Sequence, residues 1–106
     1  MPNLRKIPFI ALFLLLHTVT YAQISASFTA SPTAACPGET INFDGSASSG
    51  YTLSSSTWEW DFGDRSSKSY NKTYASRVYS APGTYTVTLT IRDGAASGST
   101  TRTVII

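Results

Sequence analysis

The segment from Thr84 to Arg92 (TYTVTLTIR) is the feature that most restricts how this chain can fold, because large apolar residues and threonines alternate along it. Successive side chains of a β-strand point to opposite faces, so period-two alternation gives each face one kind of residue. The apolar face consists of Tyr85, Val87, Leu89 and Ile91, and the polar face of Thr84, Thr86, Thr88 and Thr90. β-Branched and aromatic residues also favour strands. The segment therefore predicts a strand with one buried and one solvated face.

Turn signals on both sides of this strand predict a hairpin. Pro82-Gly83 precede it and Asp93-Gly94 follow it, and such dipeptides mark turns. The small and polar stretch 95–99 then predicts the hairpin loop, and Thr100 to Ile106 predict the returning strand.

Shorter strand-like segments occupy the preceding part of the chain. They are Ser25 to Ala30, Glu39 to Phe43, Trp58 to Phe62 and, more weakly, Thr73 to Tyr79. The serine-rich stretch 46–56 predicts a loop. Several short strands separated by turns indicate an all-β sandwich or barrel.

Residues 1–22 predict a secretory signal peptide, which leaves a single domain over 23–106. Its parts are the basic pair Arg5-Lys6, the apolar run 7–16 and small residues at a cleavage point in Thr20 to Ala22. The alternative is a membrane anchor, but a spanning helix needs roughly 20 apolar residues, about twice this run. We therefore expect a protein that is secreted or held at the cell surface, with no membrane span in the mature chain.

Removing the leader changes the charge and the available chemistry. The chain has 8 Lys+Arg and 6 Asp+Glu, and the leader takes two of the basic residues, so the mature chain is balanced. Nucleic-acid binding then lacks the clustered positive charge on which it depends. The only histidine, His17, also lies in the leader. Without histidine, and with the single cysteine Cys36, Ser-His-Asp and Cys-His catalytic arrangements and histidine- or cysteine-rich metal sites are excluded. We expect no enzyme activity and no cofactor.

Two motifs go beyond composition: WEWDFGD, from Trp58 to Asp64, and YSAPGTYTVTLT, from Tyr79 to Thr90. In this order they resemble the signature of the PKD (polycystic kidney disease) domain family, and segments 30–32 and 37–48 fit the same pattern. The residues that carry the resemblance are Trp58, Trp60, Asp61, Phe62, Gly63, Asp64, Tyr79, Pro82, Gly83 and Tyr85.

The resemblance implies an immunoglobulin-like sandwich of two sheets and about seven strands. It also implies an extracellular and often bacterial context, in which such domains serve as spacers or accessory modules. The family supplies no catalytic residues and is associated with protein–protein and protein–carbohydrate contact.

This sequence departs from the family pattern at three positions. Arg65 follows the Gly-Asp pair where the family usually has glycine, and Val78 stands where histidine is frequent. Relatives often pair a cysteine at the position of Cys36 with one in the last hairpin, but that hairpin reads GAASGS here. Cys36 is therefore expected to have no disulfide partner within this chain and to be either a small buried or half-buried residue or part of a disulfide with another chain.

The first motif permits two further interpretations. Trp58, Trp60 and Phe62 share one face of a strand and could form a platform for sugar rings, but the same alternation favours the core. Asp61 and Asp64 could form a catalytic carboxylate pair or bind calcium, whereas aspartates beside glycine usually bond to nearby backbone N–H groups. We expect core and turn roles, with calcium as the alternative cofactor.

Exposed tyrosines are the better candidates for ligand contact. Tyr51, Tyr70 and Tyr74 lie in predicted loops or a weak strand, and tyrosine combines a rigid ring with a polar tip. The sequence thus favours a non-catalytic spacer or interaction module contacting an extracellular protein or a polysaccharide. The alternatives are an N-terminal accessory piece of a longer secreted hydrolase or adhesin, and a dedicated carbohydrate-binding module.

Overall fold

The computed structural model describes residues 23–106, which form two antiparallel β-sheets, so the prediction of a β-sandwich is confirmed. The predicted signal peptide, residues 1–22, lies outside the described residues. The strands are β1 (Thr29–Ser31), β2 (Thr40–Asp44), β3 (Thr57–Asp61), β4 (Ser69–Tyr70), β5 (Tyr74–Val78), β6 (Thr84–Asp93) and β7 (Ala96–Ile105). One sheet has the order β1-β2-β5 and the other β4-β3-β6-β7. No helix in this part of the chain is long and apolar enough to cross a membrane.

The hairpin of β6 and β7 forms the longest part of the fold. Its register runs without interruption from Thr84 opposite Ile105 to Asp93 opposite Ala96. The predicted loop over 95–99 is therefore wrong, because only Gly94 and Ala95 separate the two strands. Gly94 has a φ of 60°, and a glycine at the first position of a two-residue loop gives the twist that a hairpin needs.

The small residues that suggested a loop have another role at Gly98. A Cβ at this position would lie 2.2 Å from the carbonyl oxygen of Ile24 and 2.9 Å from its carbonyl carbon. Ile24 is itself buried in the core. The absence of a side chain at Gly98 thus allows the N-terminal segment to pass directly over β7.

The N-terminal segment is joined to both ends of the sandwich. Ser25 forms an isolated bridge with Ser49, and β1 itself begins at Thr29, later than the expected strand from Ser25. Beyond β1, the chain runs parallel to the end of β7. The N–H of Ala35 donates to the carbonyl of Ile105 at 2.9 Å, and the N–H of Ile105 donates to the carbonyl of Thr33 at 3.0 Å.

The core lies between the two sheets and is mainly aromatic at its centre. Phe28, Phe43, Trp60 and Phe62 contact one another with ring centroids 5.2 to 6.1 Å apart. Edge-to-face aromatic pairs contribute beyond the area that they bury. The apolar side chains of β6 complete the core, since Val87, Leu89 and Ile91 are fully buried, as the alternation predicted.

We predict that Gly98→Ala lowers the free energy of unfolding by about 1–3 kcal/mol, the usual cost of forcing extra atoms into a packed site. Chemical denaturation measures the change. Ser97→Ala is the matched control, because Ser97 is exposed on the same strand. A Gly98→Ala chain as stable as the control would show that Ile24 does not pack against β7.

Candidate functional site

The aromatic residues of the first motif point into the core. Trp58, Trp60 and Phe62 are 2%, 0% and 5% exposed, so the expected core role is confirmed and none of them can stack on a sugar. The indole N–H of Trp60 donates to the backbone carbonyl of Lys72 at 2.7 Å. This bond fixes the connection between β4 and β5 against the core.

The two aspartates of the motif organise the turn that follows β3. Asp61 accepts a hydrogen bond from the N–H of Gly63 at 2.9 Å, and Gly63 has a φ of 76°. Asp64 accepts bonds from the backbone N–H and the hydroxyl of Ser66. Both carboxylates therefore have the turn role expected from sequence.

Asp64 also makes an ion pair with β5. The Nε and Nη2 atoms of Arg77 both lie 2.7 Å from its Oδ2 atom. Partial burial raises the pKa of Asp64, but the hydrogen bonds from Ser66 and Arg77 outweigh this effect and leave the pKa below its ordinary value. The guanidinium also lies 5.8 Å from the centroid of the Phe62 ring. Arg77 thus supplies the positive charge at the carboxylate of Asp64. Calcium binding by Asp61 and Asp64 stays a prediction that this ion pair does not support.

Arg65 keeps the turn that glycine usually occupies. It has a φ of 62°, a conformation that costs an ordinary L-residue about 1–2 kcal/mol. The neighbouring bonds of Asp64 to Ser66 and Arg77 hold the turn in place, so Arg65 adopts a left-handed backbone that glycine would take without this cost.

The second motif closes the opposite side of the same turn. The hydroxyl of Tyr79 donates to the carbonyl of Phe62 at 2.8 Å, and the Tyr79 ring packs on that of Tyr85 at 4.3 Å. Tyr85 donates to the carbonyl of Ala81 at 2.7 Å, which spans Pro82-Gly83. Burial, followed by the nearby charge of Asp64, raises the pKa of Tyr79 to about 12.

The candidate tyrosines do not form one site. Tyr51 is half-buried and packs edge-to-face on Trp58 at 5.1 Å. Tyr70 and Tyr74 are 57% and 61% exposed. Tyr70 lies opposite Glu59 on the outer face of the four-stranded sheet, and Tyr74 lies opposite Asp44 on the outer face of the three-stranded sheet. Each sheet therefore presents one exposed ring.

Tyr70 belongs to a polar row that crosses the whole four-stranded sheet, which we call the Tyr70 row. The pairing places Tyr70, Glu59, Thr90 and Ser99 side by side on β4, β3, β6 and β7. The hydroxyl oxygens of Thr90 and Ser99 lie 3.3 Å apart. The Oε2 atom of Glu59 lies 3.6 Å from the Nζ atom of Lys68. Sequence analysis missed this row because only the register of the strands brings its members together.

Cys36 is exposed, so the alternative of a buried or half-buried cysteine is wrong. Its backbone N–H donates to the carboxylate of Glu39 at 2.8 Å. A hydrogen bond with Glu39 and the negative charge of that residue raise the pKa of the Cys36 thiol. The intermolecular disulfide stays a prediction.

The motifs, their geometry and the two-sheet sandwich agree with a known family. The family model of the PKD domain matches residues 25–106. This chain belongs to the PKD domain family. PKD domains are non-catalytic modules, and the described part of this one holds no group of three or more acidic, histidine or cysteine side chains placed to bind a metal.

Solved structures of other PKD domains, and part of a structure from a study of carbohydrate-binding modules, have the same fold. A structure that describes the promiscuous specificity of carbohydrate-binding modules of the β-sandwich superfamily matches with a TM-score of 0.71 and 29% identity over 82% of this chain and 35% of that one. The PKD1 domain of Vibrio anguillarum Epp matches with a TM-score of 0.62 and 25% identity over 82% of this chain and 96% of that one. The human SorCS2 PKD domain, with a TM-score of 0.62, is 19% identical over 86% of this chain and 79% of that one.

The chain thus spans about a third of the length of the first of these structures, 35%. Among curated proteins, no sequence matches this chain.

We predict that Arg77→Met lowers the free energy of unfolding at pH 7 by about 1–3 kcal/mol, because a charged hydrogen-bonded pair is lost. The depressed pKa of Asp64 means that this contribution is present above pH 3.8, the ordinary value, and disappears as the pH falls through the folded-state pKa. Urea unfolding at pH 7 and near pH 2 tests both statements.

Lys68→Met is the control, since it removes the more exposed pair with Glu59 and should cost less than about 1 kcal/mol. An equal loss for Arg77→Met at both pH values would assign its effect to packing on Phe62 instead of charge.

We predict that Tyr79→Phe costs about 1 kcal/mol at pH 8, the net value of one hydrogen bond. Because the folded-state pKa of Tyr79 is raised from 10.0 to about 12, its contribution is complete below pH 10 and is lost as the pH rises toward 12. Between pH 8 and pH 11, the free energy of unfolding should therefore fall less for Tyr79→Phe than for the natural chain. Unfolding curves at the two pH values measure this difference. Tyr85→Phe, which removes a more exposed hydroxyl, should keep the natural alkaline loss.

Proposed function

We propose that this PKD domain is a non-catalytic extracellular module that contacts polysaccharide through the Tyr70 row and holds the parts of a longer protein that follow it away from that contact. The proposal includes secretion by the signal peptide predicted in residues 1–22. It also assigns no enzymatic reaction to residues 23–106, because this segment has no histidine and its motif aspartates Asp61 and Asp64 are engaged in turn hydrogen bonds.

The observation that carries the polysaccharide contact is the position of Tyr70. Its ring is 57% exposed at the end of a row that continues through Glu59, Thr90 and Ser99. Neighbouring strands lie about 4.8 Å apart, so the row extends about 14 Å across four strands. A sugar chain lying on it would stack one ring on Tyr70 and exchange hydrogen bonds with a carboxylate and two hydroxyls.

Tyr70 is also presented rigidly. The N–H of Asn71 donates to the carbonyl of Trp58 at 2.8 Å, and the Trp60 indole holds the carbonyl of Lys72. These two hydrogen bonds thus fix the backbone of Asn71 and Lys72, directly after Tyr70, to the buried residues Trp58 and Trp60. A surface that is formed before binding loses little conformational entropy on binding, which favours affinity.

The spacer role is supported by the placement of the two ends of the domain. Ile24 lies against Gly98 near the turn of the β6–β7 hairpin, whereas Ile106 pairs with Gly83 through bonds of 2.8 and 3.0 Å at the other end. At about 3.3 Å per strand residue, these points are about 26 Å apart along β7. The N-terminal segment and the end of β7 are therefore held at opposite ends of the sandwich.

The likeness to 35% of a chain from a study of carbohydrate-binding modules, at 29% identity, supports polysaccharide over protein as the partner. The composition of the Tyr70 row agrees with this choice. The row combines one exposed ring with hydroxyl and carboxylate groups and contains no second large apolar side chain that a protein partner could cover. An adhesin or hydrolase that carries this domain would use it to hold its other domains near a glycan surface.

We predict that the secreted chain is retained on insoluble chitin or cellulose and that Tyr70→Ala weakens retention about tenfold, equivalent to about 1.4 kcal/mol. Depletion isotherms measure the affinity. Leu53→Ala is the matched control, because Leu53 is 67% exposed in the loop before β3 and outside the Tyr70 row.

Circular dichroism would show that each variant remains folded. The proposal fails if the natural chain is retained on neither polymer, or if Tyr70→Ala binds as tightly as the Leu53→Ala control.

A further inference from the structure

The strand β5 has an inverted distribution of side chains. Its apolar residues Tyr74 and Val78 are 61% and 47% exposed, whereas the intervening Ala75 and Arg77 are half-buried. Its neighbour β2 has the ordinary arrangement, with Ile41 and Phe43 buried. Folding of the sandwich alone gives no reason for apolar side chains on the outer face of β5.

The backbone of β5 is unpaired on one side. The bond from the N–H of Gly45 to the carbonyl of Thr73, 2.9 Å, shows that these two residues form a hydrogen-bonded pair, and such pairs alternate along antiparallel strands. In the register of β2 and β5, Ala75 and Arg77 therefore bond to β2. The N–H and C=O groups of Tyr74, Ser76 and Val78 point away from it, and β5 is the last strand of its sheet in residues 23–106.

This edge also lacks the usual protection against pairing. Natural edge strands are shielded by charge, proline, a bulge or short length. The only charge in β5 is Arg77, which is turned onto Asp64. By contrast, β4 has 2 residues, and the end of β7 is already bonded to residues 33–35. The edge of β5 combines free backbone groups with exposed apolar side chains.

We propose that the edge of β5 pairs with β5 of a second copy of this chain, in an antiparallel register centred on Ser76. In this register each residue with free backbone groups lies opposite another such residue, which permits about six hydrogen bonds. Tyr74 of each copy lies opposite Val78 of the other, an aromatic and β-branched pair that stabilises sheets. The two three-stranded sheets become one continuous sheet.

The self-complementarity of this edge identifies a second copy as the partner. An unrelated strand would need its own apolar residues at the two matching positions, whereas a two-fold axis through Ser76 supplies them from the same sequence. No like charges face each other, since Arg77 lies opposite Ala75 of the other copy. The interface is distinct from the Tyr70 row, which lies on the other sheet, and does not depend on polysaccharide contact.

Substitutions at Ser76 give a direct test of the register. Ser76 is exposed and its backbone groups are unpaired in the single copy, so Ser76→Lys or Ser76→Glu should leave the fold intact. Each variant alone would place two like charges opposite each other in the dimer. Mixing the two variants would instead place a lysine opposite a glutamate.

We expect sedimentation velocity of the secreted chain, with reductant to exclude a Cys36 disulfide, to show a dimer that increases with concentration up to about 1 mM. Ser76→Lys and Ser76→Glu alone should each associate at least tenfold more weakly, and an equimolar mixture should regain the dimer. Tyr74→Ser should weaken association, whereas Tyr70→Ser, an exposed tyrosine on the other sheet, should not.

A natural chain that stays monomeric at 1 mM overturns the proposal. So does a Ser76→Lys chain that dimerises as the natural chain does, or a mixture of the two Ser76 variants that stays monomeric. Ser97→Lys on the edge of β7 serves as the control: if it abolishes the dimer and Ser76→Lys does not, the copies pair through β7.

Discussion

The contacts of Trp60 connect the two sheets, and the rest of the sandwich depends on them. The ring lies 5.2 Å from Phe28 and 5.9 Å from Phe43, and its N–H binds the carbonyl of Lys72. Residues 23–106 contain one cysteine, which is free, so cohesion between their sheets comes from packing and hydrogen bonds. Because Lys72 lies in the connection between β4 and β5, one buried indole also positions the exposed surfaces on both sides of this connection.

Patterns within short segments of the sequence predicted most of the strands and which of their side chains are buried. The alternation in β6 is visible without any partner, and it correctly placed Val87, Leu89 and Ile91 in the core. The loop expected over 95–99 was wrong because small residues can mark either a turn or a close contact. At Gly98 the contact is with Ile24, at the other end of the described chain, and only the folded structure brings the two together.

The candidate surfaces were less predictable for the same reason. The sequence indicated a turn role for Asp64 but gave no sign of Arg77, which reaches it from a different sheet. It grouped Tyr51 with Tyr70 and Tyr74, although the first packs on Trp58 and the other two lie on opposite faces of the sandwich. Pairing register decides which polar side chains stand in a row and which backbone groups are free, and composition does not record register.

The parallel contact between residues 33–35 and the end of β7 has a mechanical consequence. Ala35 and Thr33 bond to Ile105, close to where the chain leaves the domain, while the N-terminal segment begins at the far end of the hairpin. A force that pulls the two ends of the domain apart acts along β7, across the direction of these bonds. Such a load shears the bonds together instead of opening them one after another, so these bonds resist extension along β7 better than a pull across it.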